Sequence, residues 1–211
     1  MKLKYLSKLL FPVMIAVLMS GCGTQRIKLG YTAMPGTKSP LGTIKPMTMA
    51  LHVEDQRDPA ERDRQGNIIN GYGMTIGHAV SDRDVTLVLF DAIRSEFENN
   101  GHKVVSADAK NADAKMDVAL KRLWSETKMH MMDIELIGTL NSEVTIRNLH
   151  GSAEPFNKLI NSTARKSGGM VTAGAGPHRT ILNEVLKEYI KNLTYDPAVL
   201  KALEMPQQQS P

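Results

Sequence analysis

The chain is short of cysteine, aromatic residues and net charge, and each shortage excludes a class of function. One cysteine among 211 residues leaves no partner for an internal disulfide. Four Phe, five Tyr and one Trp are too few for a platform that stacks sugars or nucleic-acid bases. The formal net charge is +4, but residues 1–21 hold three lysines and no acid, which leaves 23 basic and 22 acidic residues in the rest. This nearly equal number of basic and acidic residues lacks the excess positive charge that is typical of a nucleic-acid-binding protein.

A hydrophobic run long enough to cross a membrane is also missing. The apolar run Leu9–Met19 has 11 residues, whereas a transmembrane helix needs about 20. It follows the three lysines and precedes small residues, which is the order of a secretory signal peptide. We therefore assign residues 1–21 to a signal peptide.

The only cysteine of the chain stands directly after this signal. Leu18-Met19-Ser20-Gly21-Cys22 resembles the lipobox of bacterial lipoproteins, whose cysteine becomes the acylated N-terminus. The resemblance implies a lipid bilayer as a partner, reached through acylated Cys22. Gly23 follows, where aspartate is the usual inner-membrane retention signal in enteric lipoprotein sorting. The resemblance therefore implies an outer-membrane anchor with the protein facing the periplasm. A catalytic thiol is the alternative, but Cys22 precedes any predicted folded region.

Composition divides the mature chain into three parts. Residues 22–46 are rich in Gly, Pro, Thr and Lys, which predicts a lipid-anchored flexible tether. Residues 47–204 alternate between strand-like and helix-like apolar patterns and predict a single domain. Residues 205–211 are polar and predict a disordered tail. The glycine-rich stretch 168–176 predicts a flexible loop within the domain.

The domain begins with a strand and continues with a helix. Met47–Glu54 alternates apolar and polar residues with period two. Asp82–Asn100 carries an apolar residue at every fourth position from Val85 to Phe97, which predicts a helix with a buried face. Ser81 and Asp84 predict a capping box at its start. Gly101 is expected in the C-terminal capping position, where a positive φ is needed.

Further strands are expected near 104–105, 116–124, 134–146 and 156–164, with a weak strand or turn over 68–76. A second long helix is expected over Thr180–Leu193, and a short one follows Asp196-Pro197 and ends at Glu204. Short turns between neighbouring strands favour antiparallel pairing. The sequence therefore predicts an α+β fold, with an antiparallel sheet of four to five strands and two amphipathic helices packed on one face.

Three short motifs are candidates for chemistry. Met129, His130, Met131 and Met132 offer soft ligands of the kind that bind Cu(I), although apolar packing at a hairpin explains the same residues. Asp55 and Arg57 share one face at a strand end, which fits an ion pair or a polar rim for a partner. Gly174–Arg179 precedes a helix and fits either anion binding or a hinge. The chain has neither a Gly-x-Ser-x-Gly nor a His-Glu-x-x-His motif.

Several of these features together resemble the YajG-type family of small bacterial lipoproteins. They are the lipobox at Cys22, a first strand that closes in Asp55-Gln56-Arg57, and a helix that Arg83-Asp84-Val85 leads and Asn100-Gly101 ends. The strands Val118–Trp124 and Asp133–Thr139 and the final helix match in order. The resemblance implies an envelope lipoprotein and brings no catalytic residue or cofactor.

The predicted function is therefore non-enzymatic. We expect a lipid-anchored binding or scaffold protein that faces the periplasm and contacts an envelope protein partner. The alternative is a lipoprotein that handles a ligand or copper through the methionine cluster.

Overall fold

The computed structural model of the protein describes residues 23–130, 133–150, 154–168 and 174–204. The predicted signal peptide, Cys22, Met131, Met132 and the predicted tail lie outside these ranges. In chain order the elements are β1 Gly23–Ile27, a 3-10 turn Pro40–Thr43, β2 Thr48–Asp55, α1 Pro59–Arg62, β3 Gly66–Ile69, β4 Thr75–Ser81, α2 Val85–Asn99, β5 Lys103–Ser106, β6 Ala114–Met129, β7 Ile134–Asn148, β8 Phe156–Gly168, α3 Ala175–Thr194 and α4 Pro197–Glu204.

All eight strands belong to one mixed sheet, with the long strand β6 at its centre. One edge of β6 pairs antiparallel with β7, which pairs antiparallel with β8. The other edge pairs in parallel with β2 over its first half and with β3 near its end. A register shift between Leu120 and Arg122 separates the two halves. β5 extends the sheet beyond β2, and β4 and then β1 extend it beyond β3.

The prediction of a four- to five-stranded antiparallel sheet with two helices on one face is wrong. The described part of the chain has eight strands, four of whose pairings are parallel: β1–β4, β2–β5, β2–β6 and β3–β6. Parallel pairing needs a long connection. The chain provides one by placing β3, β4, α2 and β5 between β2 and β6.

Residues 23–46 differ from the expected flexible tether, because the structure places them against the domain. They begin with β1, which pairs in parallel with β4. Ile27, Leu29, Leu41 and Ile44 are buried in the core. The sequence did not predict this burial, because these apolar residues follow no regular period and stand among glycines and prolines.

Both long helices form where an apolar stripe predicted them. Asp84, rather than the expected Ser81, caps α2, and its side chain accepts a hydrogen bond from the backbone N–H of Thr86 at 2.8 Å. Gly101 has the expected positive φ of 95°. Phe97 of α2 has no exposed surface, Val88, Leu89 and Ile93 of the same helix are buried, and α2 packs on β2 and β5.

The second long helix, α3, packs on β7 and β8. It begins at Ala175, five residues before the predicted start. Gly138 of β7 permits this close packing, since a Cβ there would lie 2.9 Å from the carbonyl oxygen of Ile181. In the part of the chain that the structure describes, no helix has the length and apolarity needed to span a membrane.

Candidate functional site

The long strand β8 forms one edge of the sheet. Across the described residues it pairs with β7 along all 13 of its residues and with no other strand. An unpaired edge exposes backbone N–H and C=O groups that can accept another strand. Whether β8 can do this depends on which of its amides point outward.

The register of the sheet decides the direction of these amides. The Ser125 N–H donates to the Gln65 carbonyl oxygen at 2.7 Å, so the backbone of Ser125 faces β3. Backbone direction alternates along a strand, and the neighbouring Trp124 therefore faces β7. Its partner Thr139 faces β6 in return. Thr163, which pairs with Thr139, must then direct its N–H and C=O away from β7.

Asn161, two residues earlier, supports this assignment. Its carbonyl oxygen accepts a hydrogen bond from the Asn192 side chain of α3 at 3.3 Å, and Asn192 also donates to the hydroxyl of Ser162 at 2.9 Å. Lys158 forms an ion pair with Asp196 just after α3. The first half of the β8 edge is therefore held by α3 and the residues that follow it.

The second half of the edge, 163–168, borders an open groove of about 380 Å³ between β8 and α3. Ala164 and Ile181 supply apolar surface, Arg165 and Lys166 line the strand side, and Glu184 and Glu188 line the helix side. We call the outward amides of Thr163, Arg165 and Ser167 together with this groove the β8 edge groove. A bound segment could pair with the backbone of β8 on one side of this groove and make polar contacts with α3 on the other.

The charge of β8 itself is of one sign. The strand holds Lys158, Arg165 and Lys166 and no acidic residue. Arg165 reaches Glu135 of β7 at 3.1 Å, but its side chain is still 62% exposed. On the helix side, Glu184 and Glu188 have their own lysine partners one turn further on, Lys187 and Lys191. The strand side of the groove is thus positive, and the acids opposite it are partly neutralised.

A serine–histidine pair lies in the interior and does not form a catalytic site. The Ser125 hydroxyl donates to the Gln65 carbonyl oxygen at 2.8 Å, and the Nδ1 of His178 lies 2.8 Å from the same hydroxyl. Both side chains are buried, and burial lowers the pKa of His178. An enclosed serine already bonded to the backbone has no access to a substrate. The pair instead joins the start of α3 to β6 and β3, which no sequence motif indicated.

Asp55 and Arg57 form an ion pair at the end of β2. The Arg57 guanidinium donates to both carboxylate oxygens of Asp55, at 2.9 and 2.8 Å, and to the carbonyls of Glu61 and Arg62. Arg57 is only 2% exposed. Partial burial raises the pKa of Asp55, but the hydrogen bonds and charge of Arg57 outweigh this and lower the pKa overall. Arg57 is enclosed by contacts within the chain, so it presents no rim to a partner.

The predicted copper ligands lie at the end of β6. Met129 ends the strand, and the backbone N–H of His130 donates to the Asp133 carbonyl at 2.9 Å. The other two candidates, Met131 and Met132, lie outside the described residues. Within those residues, no group of three His, Cys, Asp or Glu side chains is placed to hold a metal ion.

The predicted anion site at Gly174–Arg179 is occupied by the protein itself. The backbone N–H of Ala175, at the start of α3, donates to the Gln25 side chain of β1 at 2.8 Å. His178 points inward to Ser125 and is 3% exposed. Neither the first amide of α3 nor the imidazole is therefore available to an external anion.

Comparison with known proteins finds one family and several solved structures that this chain resembles. Residues 40–204 match the model of a family described as uncharacterized lipoprotein. The fold resembles protein XCC0632 from Xanthomonas campestris, with a TM-score of 0.55 at 11% identity, covering 84% of this chain and 97% of that one. A minor lipoprotein from Acinetobacter baumannii matches with a TM-score of 0.35 at 10% identity, covering 72% and 92%. Lipoprotein GNA1162 from Neisseria meningitidis matches with a TM-score of 0.33 at 9% identity, covering 67% and 96%. No curated protein matches the sequence.

Proposed function

We propose that this chain, which belongs to the family of uncharacterized lipoproteins, is a non-enzymatic lipid-anchored protein that binds an extended segment of an envelope protein partner along the β8 edge groove. The predicted resemblance to a lipoprotein family is confirmed as membership of this uncharacterized lipoprotein family, and the YajG-type name and the envelope location stay predictions. The observation that carries the binding role is the outward-facing backbone of β8 over residues 163–168, which no strand among the described residues pairs with.

The anchor in this proposal is acylated Cys22. Family membership, the signal-like residues 1–21 and the lipobox resemblance all support it. Because two or more acyl chains hold a protein to a bilayer almost permanently, the domain would stay at the membrane while it binds. Gly23 in place of aspartate supports the outer membrane, with the domain in the periplasm.

The partner segment should be extended and more acidic than basic. An added strand satisfies the free amides of Thr163, Arg165 and Ser167 with its own backbone, as in other cases of strand addition. Carboxylates on that strand would meet the exposed side of Arg165. A second copy of β8 fits less well, because each strand brings three cations and no acid, and like charges across a strand pair are unfavourable.

Site-specific photo-crosslinking in intact cells tests the proposal. A benzophenone amino acid at Thr163 should give adducts with one partner, whereas the same group at Leu87, which is 53% exposed on α2, should not. Arg165→Pro removes an outward N–H that β7 does not use, so the adduct should disappear while the fold persists. Arg165→Ala, which keeps the N–H, should retain most of it.

Two results would contradict the binding role. Equal adducts from Thr163 and Leu87 would show that contact there is non-specific. An adduct that survives Arg165→Pro in a folded variant would show that no strand is added at this edge. Adducts of this chain with itself would replace the foreign partner with a second copy.

A further inference from the structure

We propose that the β3–β4 turn, through Tyr72 and Met74, inserts into the headgroup layer of the membrane that holds the lipid anchor. The inference rests on the acylation of Cys22 in the proposed function, and adds that the domain contacts the bilayer directly at one fixed end. A flexible tether would let the domain move freely away from the membrane. The structure gives a different geometry.

The first argument is the position at which the folded chain begins. Cys22 immediately precedes Gly23, the first residue of β1, so no spacer separates the acylated residue from the sheet. Gly23 pairs with Gly77 of β4, and Met74 lies three residues before Gly77. Strand dimensions place Met74 within roughly 15 Å of Gly23, the residue that follows the acylated one. Acyl chains on Cys22 must therefore bring the β3–β4 turn to the bilayer surface.

The second argument is what this turn exposes. The side chain of Tyr72 is 89% exposed and that of Met74 is 59% exposed. The two exposed apolar side chains flank Gly73, and a cluster of this kind marks an interaction surface; tyrosine is favoured where an apolar surface meets a polar one. Met129 extends the apolar surface, since its sulfur lies 3.8 Å from where a Cβ on Gly73 would stand.

The third argument is that the turn is built to hold this conformation. The Asn70 side-chain oxygen accepts hydrogen bonds from the backbone N–H groups of Tyr72 and Met74, each at 3.0 Å. The Asn70 backbone also pairs with Gly73 and Met74, at 2.9 Å in both cases. Gly73 has a φ of 79°, which permits the tight return of the chain. An ordered turn can present two apolar side chains without a further loss of backbone entropy on insertion.

A bilayer explains the exposed Tyr72 and Met74 better than a protein partner does, because the lipid anchor holds this end of the sheet at the membrane. The ends of β6 and β8 lie at the same end of the sheet, since Met129 pairs with Ile134 and Ile134 with Gly168. β6 is 16 residues long and its last residue lies at this end, so the opposite end of the sheet stands roughly 50 Å from the membrane. The β8 edge groove, at residues 163–168, is then held near the bilayer.

Fluorescence quenching in vesicles tests this contact. The full lipidated chain carrying Tyr72→Cys is purified from membranes, labelled with an environment-sensitive dye, and reconstituted into phosphatidylethanolamine–phosphatidylglycerol vesicles. The matched control is Leu149→Cys, a 47% exposed residue just after β7 at the opposite end. Spin-labelled headgroups should remove most of the fluorescence at position 72 and little at position 149.

The same samples separate the two ways in which the idea can fail. Acylation of Cys22 leaves the introduced cysteine as the single reactive thiol, so double labelling or failure to float with vesicles contradicts the anchor and the contact together. Single labelling and flotation with equal quenching at both positions overturn the contact alone. Strong quenching at position 72, with a melting temperature equal to that of the unsubstituted protein, supports it.

Discussion

The hydroxyl of Tyr189 on α3 lies 2.8 Å from the hydroxyl of Ser142 on β7, and both side chains are fully buried. This hydrogen bond joins α3, the longest of the described helices, to the sheet within the core. Buried polar groups of this kind are stable only as a pair, because each loses its contact with water.

The pair predicts strongly coupled substitutions. Tyr189→Phe leaves the Ser142 hydroxyl buried without a partner and should lower the free energy of unfolding by about 1–3 kcal/mol. Adding Ser142→Ala removes the unsatisfied group, so the double variant should be less destabilised than the sum of the two single variants. Denaturant unfolding of the three variants measures the coupling, and strictly additive losses would contradict it.

Stability should fall in alkali through the same tyrosine. Burial raises the pKa of Tyr189, although the hydrogen bond to Ser142 lowers it slightly. A tyrosine whose pKa is higher in the folded state than in the unfolded state contributes its full stabilisation below the unfolded pKa. This contribution is lost as the pH rises through the folded pKa. The free energy of unfolding should therefore decrease above roughly pH 10, and Tyr189→Phe should flatten this decrease. Unfolding curves at neutral and alkaline pH provide the comparison, with an unchanged slope as the contradicting result.

How much of this architecture the sequence could predict depends on the range of each interaction. The period of four from Val85 to Phe97 is local, so α2 was placed within a few residues. β1 was missed because four of its five residues are exposed and no apolar alternation marks it. Its pairing with β4 joins positions more than fifty residues apart, such as Gly23 and Gly77.

The candidate site could not be predicted from the sequence for a related reason. Nothing in the residues of β8 says that it lies at an edge, since that follows from the order of all eight strands. The Ser125–His178 contact joins residues 53 positions apart, so no local motif could indicate it. Asp55 and Arg57, only two residues apart, were by contrast predicted as a possible ion pair, and the structure contains it.

The Arg57 contacts predict a large loss on substitution. Arg57→Ala removes the ion-pair partner of Asp55. It also removes the guanidinium that donates hydrogen bonds to two carbonyl oxygens of α1. Breaking a buried ion pair on one side costs about 3–5 kcal/mol, reduced here because Asp55 is 24% exposed. Arg62, five residues further along at the end of α1, donates one hydrogen bond to the Arg57 carbonyl oxygen, so Arg62→Ala is the matched control and should cost less. Thermal unfolding measures both, and equal losses would contradict the role assigned to Arg57.

The stripe of α2 should behave as core. Phe97 has no exposed surface, and Phe97→Ala should destabilise the domain by about 3–5 kcal/mol. Leu87 lies on the opposite side of the same helix and is 53% exposed. Leu87→Ala should therefore change the free energy of unfolding very little. A Phe97→Ala variant that melts with the unsubstituted protein would refute the assignment of this face to the core.

The attachment of β1 depends on two facing glycines. A Cβ on Gly77 would clash with the backbone carbonyl oxygen of Gly23, and a backbone atom cannot move aside as a side chain can. Gly77→Ala should therefore separate the first residues of β1 from β4 without reaching the core at Phe97. Hydrogen exchange should show faster exchange of the Thr24–Ile27 amides, with α2 unchanged. Gly71→Ala, where a Cβ would meet no atom within 4 Å, is the matched control and should leave β1 protected. If the β1 amides exchange equally slowly in both variants, close contact between the two glycines does not hold the strand, and the direct link from the anchor to the sheet loses its support.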